Sequence, residues 1–221
     1  ERGLVTAFAV GAKSLKSKKA SATALLCYST LTFYEGRDTY RINEAAPVDV
    51  FFELRQDIER LALAQYFCEL ILYLAPKEEE AGDFLRLVLL ALHVLRKGSR
   101  PLPLVKAAFE LRLICLAGYM PDLSGCRACA DSLARPMLLD RRRGQMFCPD
   151  CAAAREGEGG LYPLSAGVLA AMRHIVSAPA GRLFSFTLTG EELERLAVTC
   201  EDYLLCRTER DFKTLQFYKS L

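Results

Sequence analysis

Cys126, Cys129, Cys148 and Cys151 are the residues of this 221-residue sequence best spaced for chemistry. They form two Cys-x-x-Cys pairs separated by eighteen residues. Two residues between cysteines let a tight turn aim both thiolates at one point, with the turn's amides facing the sulfurs. Zinc takes four such soft or borderline ligands in a tetrahedron. Four thiolates fill its shell and leave no position for water, so the spacing predicts one structural zinc ion rather than a catalytic one. The competing chemistry is a pair of redox dithiols. A thioredoxin-like redox site needs a strand-to-helix setting, which neither pair has.

Two facing turns need a rigid connection, and the intervening residues supply one. Pro136 to Asp140 reads as a strand, Arg141-Arg142-Arg143-Gly144 as a turn ending in glycine, and Gln145 to Cys148 as the returning strand. Three successive arginines at a hairpin tip allow two readings. They can contact phosphate, or they can be a solvated turn on a staple.

The flanking elements fall into two regimes. Residues 1–46 read as β structure: Leu4 to Val10, Leu25 to Tyr34, and Thr39 to Ile42, with a hairpin turn at Glu35-Gly36-Arg37-Asp38. A polar, basic linker covers Gly11 to Ser21. From Pro47 the apolar spacing becomes helical through Phe51, Leu54, Ile58, Leu61, Leu70 and Leu74. Further helices are predicted from Asp83 to Arg96 and from Leu102 to Ala117, where Gly118 provides a left-handed cap and Pro121 follows. Residues 153–160 read as a mobile loop, and helices resume near Ser165. A capping box at Thr189-Gly190-Glu191-Glu192 opens a last helix reaching about Arg207.

The β segment concentrates positive charge. Residues 1–20 carry Arg2, Lys13, Lys16, Lys18 and Lys19 against Glu1 alone, in a chain whose net charge is only +2. Small residues separate the lysines, so the loop can lie close to a phosphate backbone. Arg37 and Arg41 extend the patch. Phe8, Tyr28, Phe33, Tyr34 and Tyr40 are interleaved with it. They either stack on bases, as aromatics of small single-strand-binding barrels do, or fill a barrel core.

Composition narrows the class. At 52% hydrophobic residues the chain buries a sizeable core. No apolar run approaches the roughly 18 residues of a membrane span, and no signal peptide is visible. The sequence opens on Glu1-Arg2-Gly3 without Met, and residues ahead of it are expected in the full protein. Cys27, Cys68, Cys115, Cys200 and Cys206 lie singly in apolar stretches, which fits reduced thiols in the cytoplasm. His93 and His174 sit in predicted helices without a nucleophile or carboxylate cluster. No phosphate-binding glycine loop is present. Glu78-Glu79-Glu80 reads as a solvated run. These observations point away from an enzyme, including a hydrolytic nuclease.

The order of features resembles the RecO family of bacterial recombination mediators and DNA-repair proteins. Gly11-Ala12-Lys13-Ser14-Leu15-Lys16-Ser17-Lys18 is similar to the family's basic segment. Phe109-Glu110-Leu111-Arg112-Leu113, then Ala117-Gly118-Tyr119-Met120-Pro121, is similar to the stretch that leads into the cysteine pairs of zinc-bearing members. The resemblance runs over the whole chain. It implies an α+β, mostly helical protein: an N-terminal OB-fold followed by a helical domain with a zinc-binding insertion. It also implies binding of single- and double-stranded DNA and annealing of complementary strands. The partners it implies are RecR and the C-terminal tail of the single-strand DNA-binding protein, with RecA loaded onto the coated strand. Some members lack the cysteines, so the metal is not itself the activity. A five-stranded OB-fold needs more than the three strands of residues 1–46, so two strands, about 25 residues, are expected outside them.

The resulting expectation is a partial OB-like DNA-binding domain at 1–46 and a helical domain at 47–221 with a four-cysteine zinc ribbon at about 122–155. The protein is expected in the bacterial cytoplasm, associated with the nucleoid during repair. DNA contact is expected from Lys13, Lys16, Lys18, Lys19, Arg37 and Arg41. The rival reading is a helical interaction scaffold with a structural zinc, whose DNA contact is incidental. It needs a pocket with a basic rim, for which Arg112 and Arg173 are candidates.

Overall fold

The computed structural model describes residues 3–12, 14, 17–36, 39–77, 79–132, 136–154 and 160–221, with the side chain of Lys18 outside that description. Among these residues it has mixed α and β structure, with two small three-stranded sheets and a predominantly helical body. No helix among the described residues is long and apolar enough to cross a membrane.

The first sheet contains β1 (Ala7–Phe8), β2 (Tyr28–Glu35) and β3 (Tyr40–Asp49), in the order β1-β3-β2. β2 and β3 form the expected antiparallel hairpin, and β1 lies parallel to β3. The strand expected from Leu4 to Val10 is reduced to two residues. Its start leaves the sheet: Leu4 donates its N–H to the Pro76 carbonyl at 3.0 Å, and Gly3 and Leu4 bridge Lys77. The polar linker holds a helix, α1 (Lys18–Ala22), whose N-cap Ser17 accepts from the Lys19 amide. Five residues are too few to show a periodic pattern.

β3 also runs past Pro47, where the sequence suggested helix. Proline lacks the N–H of a ladder, but β1 flanks β3 only at Tyr40 and Arg41, so among the described residues Pro47 has no strand partner on that side. Helical structure begins with a 3-10 turn, Phe52–Gln56, and then α2 (Ile58–Leu74), whose N-cap Asp57 accepts from the Arg60 amide. α3 (Gly82–Lys97) ends on left-handed Gly98, and α4 (Leu102–Leu116) ends ahead of left-handed Gly118, the cap the sequence predicts.

α4 is the axis of the body. Ten of its fifteen residues are buried, because α2 and α3 cover one side while α6 (Ala166–Ser177) and α7 (Gly190–Thr208) cover the other. A helix apolar all round requires such enclosure. Phe109 stacks on Phe67 of α2 at 3.9 Å between ring centroids. α8 (Lys213–Lys219), which the sequence did not suggest, closes over α2 through Phe212 and Leu215. The capping box expected at Thr189 is not made. Thr189 bonds no amide, and the Glu192 carboxylate accepts instead from Ser165 Oγ at 2.5 Å, joining α7 to α6.

Two polar contacts fix these layers. Inside the body, Lys106 donates to Glu110 at 2.8 Å and to Glu201 at 2.7 Å. Tyr66 Oη donates to Glu110, and Lys219 donates to Glu201. Burial works against the Lys106 cation, but the two carboxylates outweigh it and raise its pKa. At the edge of the body, Arg96 of α3 forks onto both oxygens of Asp49 at 2.8 and 2.9 Å, tying β3 to α3.

Lys106→Ala strands Glu110 in an apolar interior and should cost about 3–5 kcal/mol in urea unfolding. Lys106→Met with Glu110→Gln should cost much less. Equal losses for the two variants would contradict this account of the core. At the sheet junction, burial tends to raise the Asp49 pKa, but the Phe51 amide and Arg96 outweigh it and lower the value. A lowered folded-state pKa gives stability that is complete above the ordinary carboxylate value, about 4, and lost as pH falls through the folded one. Arg96→Ala should therefore lower Tm at about pH 6, and the difference from wild type should shrink towards about pH 2. A gap independent of pH would contradict the assignment.

Candidate metal centre

The four cysteines predicted to act together converge. Their sulfurs lie within 4.8 Å of one another, and Cys129 Sγ is 3.7 Å from Cys148 Sγ. Ligands about 2.3 Å from a tetrahedral zinc are separated by about 3.8 Å, so the cluster has the right size for one metal ion. Disulfide sulfurs sit near 2 Å, and all four cysteines are free thiols.

Each pair is built by local backbone bonds. In the first, Cys126 donates its amide to the Asp131 carbonyl at 2.7 Å, and Ala130 donates back to the Cys126 carbonyl at 2.9 Å. Ala130 takes a left-handed conformation to close the turn. In the second, Cys148 follows a strand ending at Phe147 and is the N-cap of a short helix, α5 (Pro149–Ala153), a strand-to-helix setting the sequence reading did not expect; its sulfur accepts from the Cys151 amide at 3.4 Å. Burial opposes ionisation of Cys126, but the amides of Cys148, Cys129 and Ala128 outweigh it and lower the pKa to about 6. The neighbouring Cys148 and Cys129 thiols push Cys151 up to about 12. Cys126 ionises readily while Cys151 needs a cation beside it, which suits a metal-binding cluster.

The hairpin between the pairs is β4 (Met137–Asp140) and β5 (Gln145–Phe147), antiparallel with Asp140 opposite Gln145. β6 (Leu161–Leu164) adds a third strand against β4, where the sequence suggested only loop and then helix. Of the loop expected at 153–160, Ala153 ends α5 and residues 155–159 lie outside the described residues. Gly144 takes the left-handed turn conformation, and its amide bonds the Asp140 carbonyl.

This unit is fastened to the helices. Asp122 donates to the Gly144 carbonyl and Arg127 to the Met146 carbonyl, both at 2.7 Å. Arg173 of α6 donates to the carbonyls of Leu123 and Ser124, and Tyr203 of α7 donates to that of Tyr119. Arg141 pairs with Asp202 of α7 at 2.6 Å and lies over the Tyr162 ring. The arginine turn is therefore partly spent on its own scaffold. Neither Asp202 nor Tyr162 carries a short-range signal that would reveal this role.

The other expected site residues divide. Lys13, Lys16 and Arg37 lie outside the described residues, and Lys18 opens α1. Lys19 Nζ donates to the Ile42 carbonyl at 2.8 Å, so this lysine is held against the sheet. Arg41 is exposed on β3, in register with Phe8 on one side and Tyr34 on the other. Phe8 is 57% and Tyr34 68% exposed, so these rings do not fill a core. Arg112 donates to the Ile175 and Ala178 carbonyls at the end of α6. His93 contacts Arg96, and His174 contacts the Arg182 carbonyl, both structural contacts.

Two family models match the chain: "Recombination protein O N terminal" over residues 1–51 and "Recombination protein O C terminal" over residues 55–216. The chain is 31% identical to the DNA repair protein RecO of Acetivibrio thermocellus, over all of this chain and 86% of the relative. It is 32% identical to that of Symbiobacterium thermophilum, over all of this chain and 87% of the relative. It is 29% identical to that of Heliobacterium modesticaldum, over all of this chain and 81% of the relative.

A Cβ at Gly144 would stand 2.6 Å from the Tyr203 hydroxyl, in a backbone conformation that alanine resists. Gly144→Ala should cost about 1–3 kcal/mol of urea stability in metal-loaded protein. An unchanged midpoint would contradict the role given to this turn.

Proposed function

The chain belongs to the recombination protein O family, whose role lies in DNA repair and recombination, and from that premise we propose that it is a DNA-binding recombination mediator. The observation that carries this reading is the Phe8–Arg41–Tyr34 row across the first sheet. In-register residues of adjacent strands share a face. Two exposed rings flanking a guanidinium offer stacking for bases and a donor for phosphate. In this reading the basic residues of the segment before β2, Lys13, Lys16, Lys18 and Lys19, and Arg37 of the hairpin add phosphate contacts to that row.

In this reading residues 1–46 form the OB-like DNA-binding unit, which β3 extends to Asp49. The parallel β1–β3 pair, joined through a helix and a hairpin, supports a barrel-type fold. Residues 47–221 form the helical domain, and the segment at about 122–155 is its zinc-binding insertion. Cys126, Cys129, Cys148 and Cys151 hold one Zn2+, which fixes the insertion to the helices and takes no part in a reaction. No catalytic residue is assigned. The protein binds single and double strands, lets complementary strands approach by neutralising their phosphates, and helps load RecA. RecR and the tail of the single-strand DNA-binding protein are its partners, in the bacterial cytoplasm at the nucleoid. A cavity of about 200 Å3 between α3, α4 and the end of α6 is lined by Leu87, Leu90, Leu183 and the Arg86–Asp83 ion pair, and it is our candidate site for that tail.

Replacing Lys13, Lys16, Lys18 and Lys19 by Ala should weaken binding about equally across sequences. It should shallow the log–log salt slope for a single strand by up to about 3. Phe8→Ala with Tyr34→Ala should cost about 1–3 kcal/mol per ring at constant slope. Unchanged affinity and slope would move the DNA contact elsewhere and favour a scaffold. Freshly purified protein should contain one equivalent of zinc, and its removal should lower Tm. Protein without zinc would overturn the metal assignment.

A further inference from the structure

A second surface combines aromatic rings with arginines, and none of its residues belongs to the first sheet. It lies where α7 turns into α8. Arg207 sits over the Tyr119 ring at 4.8 Å, and Arg210 over the Tyr73 ring at 4.7 Å. Tyr73 and Tyr119 line one polar cavity of about 460 Å3, together with Arg207, Thr208 and Glu209. Both tyrosines are exposed, at 43% and 40%. Arg207 also donates to the carbonyl of Arg142, which brings the tip of the β4–β5 turn to the same corner.

The backbone that makes this corner is strained. Glu209 adopts a left-handed conformation at the C-cap of α7, with φ of 49°. For a residue other than glycine that conformation costs about 1 kcal/mol or more. It reverses the chain so that Arg210 falls over Tyr73 and Phe212 rather than continuing along the helix. The turn and corner carry Arg142, Arg207, Arg210 and Lys213 against Glu209 and Asp211. Arg141 is excluded from that balance because Asp202 neutralises it. The excess is positive in a chain that is nearly neutral overall.

We propose that this corner is a second contact surface for single-stranded nucleic acid, which holds one strand while the first sheet holds another. An arginine seated over a tyrosine is held in place by the ring and still presents N–H donors to a phosphate. Exposed tyrosines beside it offer sequence-tolerant stacking to bases. A protein that brings two strands together needs two places to put them. The inference rests on the DNA-handling reading above and adds to it the location of the second strand.

The test compares wild type with Arg142→Ala/Arg210→Ala, keeping Arg207 because it ties the turn to the corner. The probes are a fluorescent oligothymidylate, for binding of one strand, and a mixed-sequence complementary pair, for annealing. Zinc content and Tm monitor the fold. The variant should bind the oligothymidylate at low protein saturation as wild type does, and its annealing rate should fall about tenfold. The salt slope of a second binding event should become shallower by about 1.4, or about 0.7 per arginine. Arg142→Lys/Arg210→Lys should restore most of the rate. If the alanine variant melts early, Arg142→Gln/Arg210→Gln repeats the comparison with longer side chains. Wild type that binds no oligonucleotide would overturn the DNA-handling reading and this inference together. Wild type and variant annealing at the same rate would overturn this inference alone.

Discussion

Lys106 lies between two carboxylates in the interior of the helical body, and the arrangement of the surrounding helices follows from that contact. A buried cation needs its partners in place, so α4, which carries Lys106 and Glu110, must face α7, which carries Glu201. Tyr66 brings α2 into the same network and Lys219 brings α8. Apolar packing alone would permit α4, buried on nearly every side, to rotate or slide. The ion pairs give it one register, at the cost of a core that tolerates loss of a partner poorly.

The metal centre depends on that register. α4 ends at the Gly118 turn, and Tyr119 is held there by Tyr203 from α7. Tyr203 also stands over Gly144, so one side chain sets both the departure from α4 and the tip of the hairpin. Arg173 and Arg141 add contacts to α6 and α7. The cysteine cluster is thus an appendage with several anchors. A metal held there would stabilise the unit by joining two turns that the chain separates by eighteen residues. It is poorly placed to be the main DNA contact, since much of the surrounding basic surface is already engaged.

The quartet and its hairpin were legible because both are local: the spacing places the thiolates, and Gly144 marks the turn. α2, α3 and α4 were legible from apolar period and from Gly98 and Gly118. β6 was not, because Leu161–Leu164 is a short apolar run whose partner, β4, lies beyond β5 and α5 in the chain. α1 and α8 were too short to show a period. The capping box at Thr189 was a sound local reading overruled by a tertiary one, since Ser165 claims the Glu192 carboxylate. The aromatic residues of β2 allowed two readings because sequence gives alternation but not which face is covered. Their exposure follows from the sheet's packing, and so does the alignment of Phe8 with Tyr34 across Arg41.

In the proposed function the first strand is held by the first sheet, and the cysteine cluster only fastens the insertion to the helices. Amide hydrogen exchange of zinc-loaded protein, with and without a saturating single-stranded oligonucleotide, tests that division most directly. Slowed exchange at Ala7–Phe8, Phe33–Glu35 and Tyr40–Ile42 is the predicted result. Unchanged exchange throughout that sheet, with protection confined to the cysteine turns, would contradict it.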